Sequence, residues 1–459
     1  MNQELLAQLK GAQQRFDENR SSIPKIQRVP VLLRQNDRFA KYYSPKMISF
    51  GPIHHGTPFL QQGEHYKLLW TSKFVAKYNE NEDTDRTAQI LLKRIEDNIE
   101  ELKKQFAEDV IWKYGDNDLA SMLFVDGCSL LHFMENVDKD HPEALNLKLD
   151  QLMYMWRDME LLENQLPRRL LEMLSKEEGA NLEYLFSNHH SMGISKRYRF
   201  SVVLVQNPNP IHILDFARSA FLSPKNLKLI DTGTNNQMEI NITPNQQDVG
   251  DEHNNQKDLS SWHTYKNIRD LKKAGIRVMP TTSSDGTWND IHFTSKWFSG
   301  ELRLPVFVFN DVTPYFFRNL VAYEMCPDVG YKYECCSFFS FMDSLIDNGE
   351  DVKELRLSGV FQNLLGSDED VANLFNDLGD DLPTKIYSDK ISNDSVAFSK
   401  KYIVVKQQIE EHYSSKWRTW LAEAYNTHFN TPWATITFLA ASLALILTFI
   451  QTWFSVHPK

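Results

Sequence analysis

His54 and His55 stand between Gly51-Pro52 and Gly56 in the stretch ISFGPIHHG. Glycine and proline on both sides set a tight turn, and imidazoles on a turn can hold a metal or move protons. Neighbouring residues of extended chain point to opposite sides, so both rings on one ion would need special backbone geometry. The expectation is that one imidazole satisfies backbone groups of a turn packed on the core. Cys128 and His132 are four residues apart, which on a helix puts thiol and imidazole on one face, as a nucleophile and its base require. Their setting, VDGCSLLHF, predicts instead a buried thiol with a raised pKa. Glu163-Asn164-Gln165 precedes Pro167, whose ring removes a backbone donor and leaves carbonyls that polar side chains can bridge. That run is expected to be a hydrogen-bonded helix junction. The sequence contains no GxxxxGK[ST], HExxH or GxSxG, and no GxGxxG after a strand. No catalytic residue, metal or cofactor is therefore expected. A site assembled from distant segments leaves no local pattern, and the rival reading is an enzyme that gathers His54, His55, Asp215 and Glu163.

The elements that must position these residues are mostly helical. Residues 88–112 place Ile90 or Leu91, Ile95, Ile99, Leu102 and Phe106 on one helical face, and residues 121–134 read as a deeply buried helix interrupted by Gly127. Leu147 to Leu174 carries a third helical pattern that Pro167 kinks or restarts. After Leu222 the chain turns polar, and residues 223–262 predict a surface loop. Strand signals follow at Ile276 to Met279, Asp290 to Phe293 and Leu302 to Phe309, where Pro305 implies an edge or bulge. Helical periodicity returns over 315–324, 338–347, 352–365, 368–378 and 403–425. The expected fold is mostly α with a small β-sheet (α+β). A variable segment (1–22) precedes a globular domain over 23–425. That domain has a helical half (23–222), the polar loop and a mixed half (263–425).

From Trp433 to Phe454 the chain reads WATITFLAASLALILTFIQTWF, without one Asp, Glu, Lys or Arg. At about 1.5 Å per residue Trp433 and Trp453 stand roughly 30 Å apart, the thickness of a bilayer's hydrocarbon, with an indole at each interface. Residues 431–454 thus predict a single transmembrane helix. Ala440 and Ala444, like Thr437 and Ala441, have the small-xxx-small spacing that suits a homodimer through the anchor. The first thirty residues are too charged for a secretory signal, so the expectation is a tail anchor in the plasma membrane or an endomembrane, with the large domain in the cytosol. Four cysteines in 459 residues fit a reducing compartment. Sequons at Asn19, Asn241 and Asn393 would matter only if the domain were lumenal. A net charge of -11 and no basic cluster exclude a nucleic-acid footprint. The 12% aromatic content is expected to fill a core.

Several short segments resemble one plant family, the domain of unknown function 247. They are Ile26, Val29-Pro30, Leu33-Arg34, Asn36, Tyr42, Pro45 and Ile48 through Gly56, then Glu64 and Lys67. Further along come Asp126-Gly127-Cys128, Leu161 through Pro167, His212 through Asp215, Asn319-Leu320, Ala322, Glu324 and the ending Asn430 through Trp433. Family members usually carry an Arg and an aromatic where this chain has Glu100-Glu101-Leu102. The resemblance implies a single-pass membrane protein without established biochemical activity, and a role in protein recognition or signalling with an unidentified protein partner. The polar loop 223–262 is the expected recognition element.

Overall fold

The computed structural model describes residues 24–78, 83–137, 141–176, 210–222, 267–281, 290–296, 299–330, 333–380, 400–414 and 432–456, with parts of 5–12 and 182–186 and a few single residues besides. The polar loop 223–262 and the sequons at Asn19, Asn241 and Asn393 lie outside them.

The first half is helical: α1 (Val31–Arg34), α2 (Asp37–Ala40), α3 (Gln61–Tyr78), α4 (Thr84–Glu96), α5 (Ile99–Lys103), α6 (Glu108–Ile111), α7 (Asp116–Asn136), α8 (Leu149–Met159), α9 (Arg168–Leu174) and α10 (Ile213–Leu222). The single helix expected over 88–112 is three. Asn98 breaks the first by turning its amide back onto the Arg94 carbonyl (2.8 Å), and Phe106 leaves helical geometry to bridge Ile26. Gly127 does not interrupt α7, which runs through it. Its missing side chain admits α9 instead, since a Cβ there would lie 3.4 Å from Leu170 and closer still to Leu174. Pro167 does begin a new helix, as the cap of α9.

The second half opens with α11 (Ile268–Lys273) and a three-stranded sheet in the order β1 (Ile276–Pro280), β3 (Gly300–Leu304), β2 (His292–Ser295). β1 runs parallel to β3 with Val278 opposite Leu302, and β2 antiparallel with Phe293 opposite Leu302. Pro305 does more than mark an edge: it divides the expected 302–309 strand between two sheets. β4 (Phe307–Phe309) pairs in parallel with β5 (Phe361–Asn363) across α12 (Thr313–Glu324), α13 (Glu334–Asp343) and α14 (Gly349–Leu357). The helix expected over 352–365 therefore stops at Leu357. Gly359, at φ 82°, turns the chain into β5. α15 (Asp368–Asp380), α16 (Lys400–Ser414) and the C-terminal α17 (Pro432–Val456) complete the chain. The fold is thus mostly α with a small mixed sheet.

Two hydrophobic clusters form the interior. One gathers α3 to α9 around Trp70, Phe106, Phe133 and Met155. The other is aromatic, with Trp288, Phe307, Phe309, Phe317, Phe338 and Phe361 in mutual contact, and it also takes Val29, Leu33, Phe39 and Tyr43 from the N-terminal segment. Residues 25–51 therefore run along the seam between the cores. α3 presses closely on this segment, because a Cβ on Gly63 would stand 2.9 Å from the Ile48 Cα and closer to the Met47 carbonyl. Backbone cannot yield as a side-chain tip can, so Gly63→Ala is expected to destabilise the protein by about 1–3 kcal/mol, more than Gly127→Ala. Urea unfolding of the detergent-solubilised full chain followed by tryptophan fluorescence measures both; equal midpoints would contradict the close approach.

Candidate functional site

The polar residues buried along the seam include Glu163, Asn164 and Gln165, the junction that the sequence singled out. Segment 46–51 crosses it without a ladder partner, and buried N–H groups need acceptors. Asp158 of α8 supplies one carboxylate oxygen to the amides of Lys46 (2.9 Å), Met47 (2.6 Å) and Ile48 (3.2 Å), while its other oxygen takes Arg157 (2.8 Å). Asn164 accepts from the Phe50 amide (2.6 Å) and donates to the Ile48 and Asp158 carbonyls. Asp126 accepts from the Gly51 amide (2.8 Å) and from the Lys67 ammonium (2.7 Å), which also reaches the Ser49 carbonyl and Glu64. Burial pulls the Lys67 ammonium down, but Asp126 and Glu64 outweigh it and raise its pKa. Gly51 holds φ 72°, a left-handed turn where a Cβ would sit 3.0 Å from the Gln165 carbonyl.

The ENQLP run is the centre of this hub. Glu163 accepts from the Val29 amide (2.8 Å) and from Arg34, and its carboxylate lies 3.0 Å from His54 Nε2 as an ion-pair partner. Burial pushes its carboxyl up, yet these three partners outweigh that and hold it below the ordinary glutamate value. Gln165 donates to the Met159 and Leu161 carbonyls, where the helix ending at Met159 gives way to the turn, and takes the Leu214 amide at 3.0 Å. Asn319 of α12 ties the second core in: it accepts from the Leu162 amide (2.8 Å) and donates to the Tyr42 and Tyr315 carbonyls (2.9 and 2.8 Å). Glu324 receives the Cys335 and Cys336 amides at the start of α13, together with Arg218 (2.7 Å).

Of the four side chains the enzyme reading would gather, the structure joins His54 to Glu163 and leaves the others apart. The His54 ring meets a carboxylate, not the backbone groups of its own turn. His55 is exposed and stacks edge-on against Tyr114 at 6.3 Å, while Gly56 closes the turn at φ 77°. Asp215 lies on α10, where it accepts from the Ile211 amide (3.0 Å) and hydrogen-bonds Tyr323. Cys128 is fully buried, and burial pushes its thiol far up. His132, with its ring held at about 4 by burial and nearby Lys73 and Lys77, contacts Asn136 and not the thiol. Among the described residues no three His, Cys, Asp or Glu side chains are placed to hold a metal ion. Asp158 and Arg157 were not singled out by sequence. The available signal was a charged pair inside the apolar face made by Leu152, Met155, Trp156 and Met159.

α17 stands apart from this hub. Ile436–Trp453 is long and apolar enough to cross a membrane, and none of it is buried, Ala440 and Ala444 included. The backbone of Trp433 continues the same helix.

A mostly helical, two-core protein with a polar seam and an exposed apolar C-terminal helix is the class these observations define. The chain belongs to the plant family of proteins of unknown function DUF247, whose model matches residues 26–447. It is similar to UPF0481 protein At3g47200 of Arabidopsis thaliana, 24% identical over 90% of this chain and 82% of that protein. It is also similar to putative UPF0481 protein At3g02645 of the same plant, 30% identical over 41% of this chain and 32% of that protein. No solved structure matches.

Removing one partner of the buried Lys67–Asp126 pair leaves the other charge uncompensated, so Lys67→Met is expected to cost about 3–5 kcal/mol. The double variant Lys67→Met/Asp126→Leu should recover part of that loss in urea unfolding. His212 provides a pH test. Its Nδ1 accepts the Asp215 amide (3.1 Å), and burial, opposed by Asp215, holds the ring down at about 4 against an ordinary 6.5. Between those values the unfolded chain takes up a proton that the folded one refuses, so stability falls as the pH drops from 6.5 to 4. His212→Asn keeps an acceptor for that amide and should flatten the decline by about 3 kcal/mol. Unchanged slopes in pH-dependent unfolding would contradict it.

Proposed function

We propose that this chain is a membrane-anchored recognition protein of plants, held at the bilayer by α17, whose two-core domain binds a protein partner without catalysing a reaction. One observation carries the anchoring: the stretch Ile436–Trp453 is long, apolar in composition and free of charge, and none of it is covered by the globular part. A soluble protein would expose that surface at a large cost in free energy, whereas a bilayer removes it from water. Ser442, Thr448 and Thr452 return their hydroxyls to carbonyls four residues back, which suits a helix in hydrocarbon. All four cysteines are buried and unpaired, which favours a cytosolic position for the large domain. The seam favours recognition over chemistry, because its carboxylates are engaged by backbone amides and cations, which leaves no acid or base poised for a substrate. Tethering raises the effective concentration of the domain for partners in the same membrane.

Carbonate washing of membranes from expressing cells should leave the full chain in the pellet. Ala440→Arg/Ala444→Arg places two charges at the centre of the span, at about 2.5–3.5 kcal/mol each, and should move most of the protein to the supernatant. Protease protection and proximity labelling of the intact protein then report sidedness and neighbours. A wild-type chain that washes free would overturn the anchor, and an N-terminal domain shielded in sealed vesicles would overturn the cytosolic assignment.

A further inference from the structure

Where the two cores meet at the surface, cations and aromatic rings alternate. The Arg157 guanidinium lies 4.9 Å from the ring centre of Tyr154 and 4.5 Å from that of Tyr315. Tyr315 meets Tyr42 edge-on at 4.8 Å, and the Lys41 ammonium sits over Tyr42 at 4.9 Å. Lys46 is exposed beside them, its amide sharing Asp158 with Arg157. Arg157 is only 4% exposed, yet of its guanidinium nitrogens Nη2 alone is paired, and Nε is buried without a partner. A desolvated guanidinium normally fills its donors, so this one is arranged for an acceptor that arrives from outside. The phenols of Tyr42, Tyr154 and Tyr315 and the ammoniums of Lys41 and Lys46 make no hydrogen bond or ion pair among the described residues. The outer face of α8 adds apolar surface beside them, with Leu149 54%, Met153 38% and Tyr154 47% exposed.

We propose that this notch binds an acidic peptide segment of a protein partner. A carboxylate or phosphate oxygen of the segment meets Arg157 between the tyrosine rings, its other acids meet Lys41 and Lys46, and its apolar residues cover Leu149 and Met153. Charge complementarity selects the occupant: Lys41, Lys46 and Arg157 lie at this notch in a chain of net charge -11, and Asp158 is already spent on Arg157 and three amides. Composition agrees, because tyrosine, arginine and methionine are the residues enriched in the centres of protein interfaces. This inference rests on the recognition reading above and gives the partner its chemistry.

The test uses the full chain in phosphatidylcholine nanodiscs and fluorescent ten-residue peptides that alternate leucine with glutamate, with phosphotyrosine replacing one glutamate, or with lysine. The glutamate and phosphotyrosine peptides should bind and the lysine peptide should not. Lys41→Glu/Lys46→Glu and Tyr154→Ala change exposed side chains and leave the hub intact; each should weaken binding by at least tenfold. Equal binding of all three peptides, or of wild type and variants, overturns the proposal. Protection of Lys46 from amine labelling by phosphatidylserine discs, with no peptide retained, would assign the face to lipid and also overturn it. Proximity-labelled neighbours that persist when Lys41→Glu, Lys46→Glu and Tyr154→Ala are combined would leave the recognition function standing and remove only this face from it.

Discussion

The architecture depends on one constraint, that segment 46–51 must cross between two cores with its amides away from water. A strand in a sheet would pass those amides to a neighbour, but among the described residues no strand pairs with this segment. Side chains from three separate elements take that place: Asp158 from α8, Asn164 from the turn after it and Asp126 from α7. Leaving any of these amides unpaired costs on the order of 1–3 kcal/mol, comparable to a sizeable part of a protein's net stability. The chain's order is thereby fixed, since α7, α8 and the ENQLP run must all be in place before the crossing can be buried.

The same logic explains why the hub is ionic at its margins and amide-based at its centre. Asn164 and Gln165 each carry a donor and an acceptor, so they match carbonyls and amides of irregular backbone without a desolvated charge. At Asp158, Glu163 and Glu324 three or more donors converge on a carboxylate, and there the number of partners offsets the cost of burying charge. Lys67 is the most deeply buried cation of the hub, and it touches two carboxylates and one carbonyl. In the second half buried Asp351 plays the same part for the amides of Arg269, Asp347 and Asn348, but the second core itself is aromatic. It is built of stacked and edge-on aromatics such as Trp288 against Phe338 at 4.9 Å, and joins the hub through Asn319 and Glu324.

Much of this was legible in the sequence, and what was lost has physical reasons. Helices with a clean apolar period, such as α12 and α15, fall where the spacing puts them, because burial of one face dominates their energetics. The breaks at Asn98, Pro305 and Gly359 were missed or softened, since each depends on a distant partner: Ile26 for the bridge to Phe106, and β4 for β5. Glu163, Asn164 and Gln165 were recognisable as a polar junction. That Glu163 would draw in His54 and Arg34 from more than a hundred residues away has no local signature. Gly63 and Gly127 likewise read as helix blemishes, and only the approach of 46–48 and of α9 gives them a purpose.

The hub also governs the surface above it. The rings that flank Arg157 belong to α8 and α12, and the third, Tyr42, follows α2, so these elements could shift independently if only hydrophobic contacts held them. Asn319 prevents this by gripping the Tyr42 and Tyr315 carbonyls while accepting the Leu162 amide, and Asp158 holds Arg157 beside the Lys46 backbone. The backbone of Tyr42, Tyr315 and Lys46 and the guanidinium of Arg157 are thus held in register by buried hydrogen bonds instead of by weak mutual attractions of the rings and cations. A surface ordered in advance in this way loses little conformational entropy when a ligand arrives, which is the condition under which a few aromatic and cationic contacts suffice for specific binding. The polar seam that the fold requires for its own integrity is therefore also the support that makes a recognition face at the junction of the two cores physically feasible.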